Sequence, residues 1–180
     1  HDALPICIEG WERMFNVAII TLSDKGYEGK REDITGKKLT EFVENTGAYK
    51  VTEYVLIKDD KEMLKENIIR LCNSNKIDLI LTNGGTGFSK RDITPEATKE
   101  VLEKEIPGLS EYMRMKSTEI TKKAILSRGV SGIRNNSIII NLPGSPKGAV
   151  ENLSFIIDVL DHGIEVLRGE ATECATKKSE

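Results

Sequence analysis

Within nine residues the chain places Gly84-Gly85-Thr86-Gly87 and then Lys90, Arg91 and Asp92. Glycines leave backbone N–H groups open to anionic oxygens, two cations suit phosphate, and a carboxylate suits a hard metal ion. The spacing fits neither the Walker A pattern nor G-x-G-x-x-G, so neither mechanism transfers. Taken alone, a tight turn explains the glycines equally well. A second stretch, Pro143-Gly144-Ser145-Pro146-Lys147-Gly148, has Ser145 as a natural helix N-cap and Pro146 at the first helical position. The positive end of the new helix then offers an anion site, or simply a capped turn. A third, the polar run from Ser23-Asp24-Lys25-Gly26 to Asp33, reads by itself as a solvated loop.

Each stretch follows an apolar run, which identifies the elements that must hold it. Residues 15–22 read as a near-continuous apolar strand, 51–57 as a second, and 77–82 as a third feeding the glycines. Leu39, Phe42 and Val43 share a helical face that Gly47 ends, and Met63, Leu64, Ile68, Leu71 and Cys72 make a second stripe. Asp59-x-x-Glu62 resembles a capping box for that second helix. Thr94 as N-cap with Pro95 next predicts a helix carrying Ala97, Val101 and Leu102. Another follows over 109–120, where Met113 and Met115 are packing residues. Residues 129–134 and 137–142 form a hairpin across Asn135-Asn136. A last helix carries Val150, Leu153, Ile157 and Leu160, with a break at His162-Gly163. Strands alternating with helices predict an α/β fold, a three-layer α/β/α sandwich around a mostly parallel sheet. The organisation is one domain over 15–169, an arm over 1–14 in which Trp11 packs on the domain or a neighbour, and a tail over 170–180.

The chain's 180 residues are 38% hydrophobic and 31% charged, with a net charge of −3 and a pI near 5.6. That balance argues against a nucleic-acid partner and favours small phosphate ligands. Three cysteines without a C-x-x-C pair, and two histidines, support neither a disulfide framework nor structural zinc. No apolar run nears the roughly 20 residues that span a bilayer, and no signal peptide is seen. The expectation is a cytoplasmic protein with no membrane partner.

Taken together, Thr21-Leu22-Ser23-Asp24-Lys25-Gly26, Thr82-Asn83-Gly84-Gly85-Thr86-Gly87 running on to Arg91-Asp92-Ile93-Thr94-Pro95-Glu96-Ala97, and Asn141-Leu142-Pro143-Gly144-Ser145-Pro146-Lys147 closely resemble the MogA/MoaB family of molybdenum-cofactor biosynthesis proteins, which includes the gephyrin G domain. The resemblance covers residues 15–169, and the Ser23 and Lys30-Arg31-Glu32-Asp33 stretches look more like MogA than MoaB. It implies a homotrimer that binds molybdopterin and Mg-ATP and transfers an adenylyl group to molybdopterin with release of pyrophosphate. The product would pass to a molybdenum-inserting enzyme. By motif position the family's two critical aspartates fall on Asp59 and Asp92, which are also the implied Mg²⁺ ligands. Arg91 and Lys147 would hold phosphates, and Ser23, Thr86 and Ser145 would donate to pterin or phosphate. Asp24, Gly84, Gly85, Gly87, Thr94, Glu96, Pro143 and Gly144 complete the implied substrate-binding set. Lys58 stands where the family often has proline, and Asn83 where it often has threonine. A non-catalytic molybdopterin-binding scaffold, or a partner in molybdenum insertion, is the alternative.

Overall fold

Strands that are apolar on both faces are stable only when both faces are covered, and the alternation along β1 (Phe15–Leu22) shows how this is met. Val17 and Ile19 enter one core with Leu39, Val43, Leu153 and Leu160, while Ala18, Ile20 and Leu22 enter a second with Leu64, Ile68, Ala97 and Val101. The computed structural model describes residues 14–170. The expected arm short of its last residue, with Trp11, and the tail beyond residue 170 lie outside the described residues.

After β1 come a single turn α1 (Asp24–Tyr27), α2 (Ile34–Asn45), β2 (Tyr49–Ile57), α3 (Lys61–Asn73), β3 (Leu79–Asn83) and α4 (Thr94–Val101). Then follow β4 (Lys104–Glu105), α5 (Pro107–Ser117), a 3-10 turn (Lys122–Leu126), β5 (Ser131–Arg134), β6 (Ser137–Leu142), α6 (Pro146–Ser154) and α7 (Ile157–Leu167). The sheet order is β2-β1-β3-β6-β5-β4. β2, β1, β3 and β6 are mutually parallel, and β5 and β4 extend the sheet antiparallel to their neighbours. The expected three-layer α/β fold is observed. Because β1 lies between β2 and β3, chain order reverses beside it, and the crevice at the carboxyl ends of these strands is where open sheets bind ligands.

The hairpin forms as expected, with Asn135 in the left-handed region at φ 50°. Four local expectations change. The polar run after β1 contains the turn α1, because the Ser23 side chain caps it. β4 is two exposed charged residues and so carries no alternation to read. The final helix runs unbroken through His162-Gly163, and the break falls earlier, at Phe155–Ile156, between α6 and α7. A Cβ on Gly163 would stand 3.5 Å from Ile138 Cδ1, an ordinary contact, so α7 passes over β6 at a distance that would also admit a small side chain. Met113 is buried in the core, but Met115 is exposed.

Candidate active site

Four loops leave the carboxyl ends of the parallel strands and pack on one another. Gly84 and Gly85 have φ of +95° and +69°. A Cβ would meet Leu22 O at 2.7 Å from Gly84 and Thr94 Oγ1 at 2.4 Å from Gly85. Gly144 closes over the same point, its Cβ position 3.2 Å from Gly84 Cα. These glycines are therefore required by loop-on-loop packing before any ligand is considered. Thr94 is not the helix cap expected of it: Ile93 occupies that position without a side-chain bond, and Thr94 is the first residue of α4. Its buried Oγ1 donates to Gly84 O at 2.8 Å and its N–H to Gly85 O at 3.1 Å, so Thr94 fixes the loop's entry.

The two aspartates reach the same rim by different routes. Asp60, not Asp59, caps α3, accepting from Met63 N at 2.8 Å, which removes the capping-box explanation for Asp59. Asp59 instead exchanges hydrogen bonds with Asp24. Asp59 N donates to Asp24 Oδ1 at 3.1 Å, and Asp24 N donates to Asp59 Oδ2 at 3.4 Å. Arg91 pairs with Asp24 at 2.5 Å. Burial first, and then the Asp24 charge, push the Asp59 carboxyl above its ordinary range, and Arg91 offsets part of the rise. Asp92 adds negative charge to the same neighbourhood. It also has a structural task that the sequence did not reveal: its Oδ2 accepts from Ser89 N at 3.0 Å and braces the loop beside Gly87. Lys58 lies 5.2 Å above the Tyr27 ring, a cation–π contact that ties the exit of β2 to α1.

This rim fits Mg²⁺. Among the described residues no group of three or more His, Cys, Asp or Glu side chains could hold a metal alone. Mg²⁺ is commonly bound through one or two carboxylates plus water and substrate phosphates, and mutually repelling carboxylates gain from a cation.

On the other side of Ser23 lies a cavity of about 610 Å³, walled by Ser23, Asp33, Thr35, Asn83, Gly144 and Ser145 among others. Ser23 Oγ accepts from Gly26 N at 3.0 Å and Ser145 Oγ from Gly148 N at 3.2 Å, leaving both hydroxyl protons available to a ligand. Thr35 Oγ1 donates to Gly144 O at 2.8 Å. Asn83 spends its amide on Thr21 Oγ1, 2.9 Å away. Pro143 packs beside Gly148. Lys147 is not brought in: its side chain is 80% exposed and lies 3.7 Å from Glu151.

Sequence reasoning missed Arg128. Its N–H donates to Thr86 O at 3.0 Å, Nε to Gly87 O at 2.8 Å and a terminal nitrogen to Asp92 O at 3.0 Å, while the other terminal nitrogen pairs with Glu96. Burial is the largest single influence and raises the Glu96 carboxyl, but the Arg128 hydrogen bond, a backbone hydrogen bond and the Arg128 and Lys99 charges together outweigh it, and the net shift is downward. Glu96 thus faces Arg128. Only a cation beside a glycine marks Arg128 in the sequence, because its partners lie 32 to 42 residues away along the chain.

Residues 18–162 match the family described as "Probable molybdopterin binding domain". Over 158 residues the chain is 38% identical to the molybdopterin adenylyltransferase of Helicobacter pylori strain J99, covering 86% of this chain and 88% of that one. It is 40% identical over 134 residues to molybdenum cofactor biosynthesis protein B of Bacillus cereus, covering 73% and 77%. The crystal structure of the molybdopterin biosynthesis enzyme MoaB from Thermus thermophilus superposes with a TM-score of 0.81 at 46% identity, covering 87% of this chain and 98% of that one. With four-fifths of its length inside the family model, and relatives of both kinds along nearly all of their own, the chain belongs to the MogA/MoaB family of molybdopterin-binding domains.

Proposed function

We propose that the protein is a molybdopterin adenylyltransferase, a nucleotidyltransferase that uses ATP. An oxygen of the terminal phosphate of molybdopterin attacks the α-phosphorus of ATP. The new phosphorus–oxygen bond forms as the bond to the bridging oxygen breaks, and pyrophosphate leaves. Such a step asks little covalent chemistry of the protein; it asks for anions held in line with their repulsion neutralised. The observation that carries the reading is the convergence of Asp59, Asp24, Arg91 and Asp92 beside the glycine loop, with Asp59 free of helix capping. Relatives that bear the adenylyltransferase name support it.

In this proposal Asp59 and Asp92 would hold Mg²⁺, which would supply charge neutralisation for the phosphates. Arg91 holds Asp24 in place, and the Ser23 and Ser145 hydroxyls donate to substrate. Arg128, Thr94 and Glu96 keep the loop in shape. A homotrimer in the cytoplasm, a folded unit over 15–169 of MogA type, and handover of product to a molybdenum-inserting enzyme belong to the same proposal and rest on the family resemblance. Among the described residues no helix is long and apolar enough to cross a membrane. The deciding experiment measures pyrophosphate release from ATP with and without Mg²⁺ and molybdopterin. Release that requires both is expected; tight molybdopterin binding without release would make the protein a scaffold.

A further inference from the structure

We propose that Arg31 is a phosphate-binding residue of this site, gripping a phosphate monoester group at the mouth of the cavity between α2 and the loop after β6. Arg31 is the one cation in the cavity's lining. Among the described residues it makes no hydrogen bond and no ion pair, whereas its neighbours are all engaged. Lys30 pairs with Glu28 at 2.7 Å, Glu32 with Lys37, and Asp33 accepts from Gly36 N at 2.9 Å and from the Tyr54 hydroxyl. The two carboxylates nearest Arg31 in sequence are thus committed elsewhere, and its guanidinium is left to a ligand.

The backbone that carries Arg31 is anchored two residues later. Asp33 caps α2 and is held by Tyr54 from strand β2, so the loop enters the cavity wall from a fixed point. The other walls carry the Ser23 and Ser145 hydroxyls, whose oxygens already accept backbone N–H groups and whose protons face no protein acceptor. A free guanidinium fork together with hydroxyl donors in one concave wall is the donor set of a phosphate dianion, which arginine binds through two parallel hydrogen bonds. Arg31 is exposed, so its unpaired guanidinium is solvated and is not a buried charge. Ser23 lines the cavity and Asp24 joins the carboxylate cluster, so a phosphate held here adjoins the reacting rim across one turn of α1.

That the phosphate carrier is molybdopterin, rather than ATP, rests on the adenylyltransferase reading; the phosphate site itself does not. Calorimetric titration of the wild-type protein, Arg31→Ala and Arg31→Lys with inorganic phosphate, molybdopterin and ATP tests both. Arg31→Ala is expected to weaken molybdopterin binding by about 30-fold, as for loss of a charge-assisted pair, and to abolish phosphate binding. Arg31→Lys falls between, because it keeps the charge and loses the fork. ATP affinity and melting temperature are unchanged. Molybdopterin affinity unchanged in Arg31→Ala, or a loss confined to ATP, overturns the assignment and leaves the adenylyltransferase reading standing. Arg31-dependent phosphate binding by a protein that binds no molybdopterin supports the site and overturns that reading instead.

Discussion

Asp24 and Asp59, 35 residues apart, each donate a backbone N–H to the other's carboxylate, at 3.4 and 3.1 Å respectively. One follows β1 and the other β2, so the clasp fastens the exits of two adjacent parallel strands while holding two negative charges together. A structure that stores repulsion in this way gains when a cation or a cationic substrate group arrives, and loses stability while it waits.

The first prediction follows from that cost. A carboxyl whose folded-state pKa lies above its unfolded value weakens the fold once it ionises. The contribution of Asp59 to the stability of the ligand-free protein therefore falls as pH rises from the ordinary value of 3.8 through the raised folded value. Asp59→Asn removes the ionisation and can still accept from Asp24 N. At neutral pH the variant is expected to melt at a higher temperature than wild type, with the advantage fading toward pH 3.8, and to lose Mg²⁺-dependent pyrophosphate release. Melting curves across pH, read beside turnover, check both halves; a lower melting temperature at pH 7 would contradict the repulsion.

Removing the neighbouring charge should move a pH profile. Asp24→Asn takes away the nearest negative charge that raises Asp59, so the acidic limb of the rate profile is expected at lower pH than in wild type. A limb that stays in place assigns it to a group other than Asp59.

Asp92→Asn separates support from chemistry. Asparagine can keep the bond from Ser89 N, so the loop and the melting temperature are expected to hold. Adenylyl transfer should fall by about 100-fold, on the order of 2.7 kcal/mol of transition-state stabilisation, with molybdopterin binding retained. Wild-type turnover in a folded variant would confine Asp92 to bracing the loop.

Arg128→Ala leaves the carbonyls of Gly87 and Asp92 without their cation. Loss of such charged hydrogen bonds costs about 1.5–3 kcal/mol, and a melting shift of several degrees is expected. Because Asp92 moves with its backbone, kcat should fall at temperatures where the variant is fully folded, and Arg128→Lys should restore stability more than kcat. Equal recovery of both would mean that Arg128 only stabilises.

Gly85→Ala tests why the loop is glycine-rich. The new Cβ must adopt φ +69° and meets Thr94 Oγ1 at 2.4 Å, so a loss of at least about 2 kcal/mol is expected with no ligand present. In a Thr94→Ala background the same change should cost less, since the colliding oxygen is gone. Additive costs would show that the clash is relieved elsewhere.

Assembly is open to light scattering. Met113 is core, but Met115, Ile120, Ile125 and Leu126, on α5 and the turns after it, are exposed and are among the apolar side chains of the described residues that a second copy could cover. A mass three times the 20.0 kDa of one chain is expected at micromolar concentration. A single-chain mass at every concentration contradicts the trimer.

The sequence by itself determined the layers and the rim. Apolar runs such as 15–22 and 77–82 can be stable only between two helical layers, and the alternation of strands with helices leaves a parallel sheet whose loops open at one edge. That is why the loops carrying Ser23, Gly84, Asp92 and Ser145 could each be placed after a strand from local signals, while their joint assignment to one site came from the resemblance of the three stretches to the family. Only the tertiary structure decided what each does there. Whether Asp59 or Asp60 caps α3 is a one-residue shift in helix start, which local pattern does not resolve. Thr94 looked like a cap because its type fits one, yet its hydroxyl is drawn to Gly84 O by the packing of the glycine loop on the strand exits. Arg128 and Arg31 carry no periodicity at all. One became an anchor because the chain brings distant carbonyls within reach of it, and the other stayed free because its neighbouring acids found partners first.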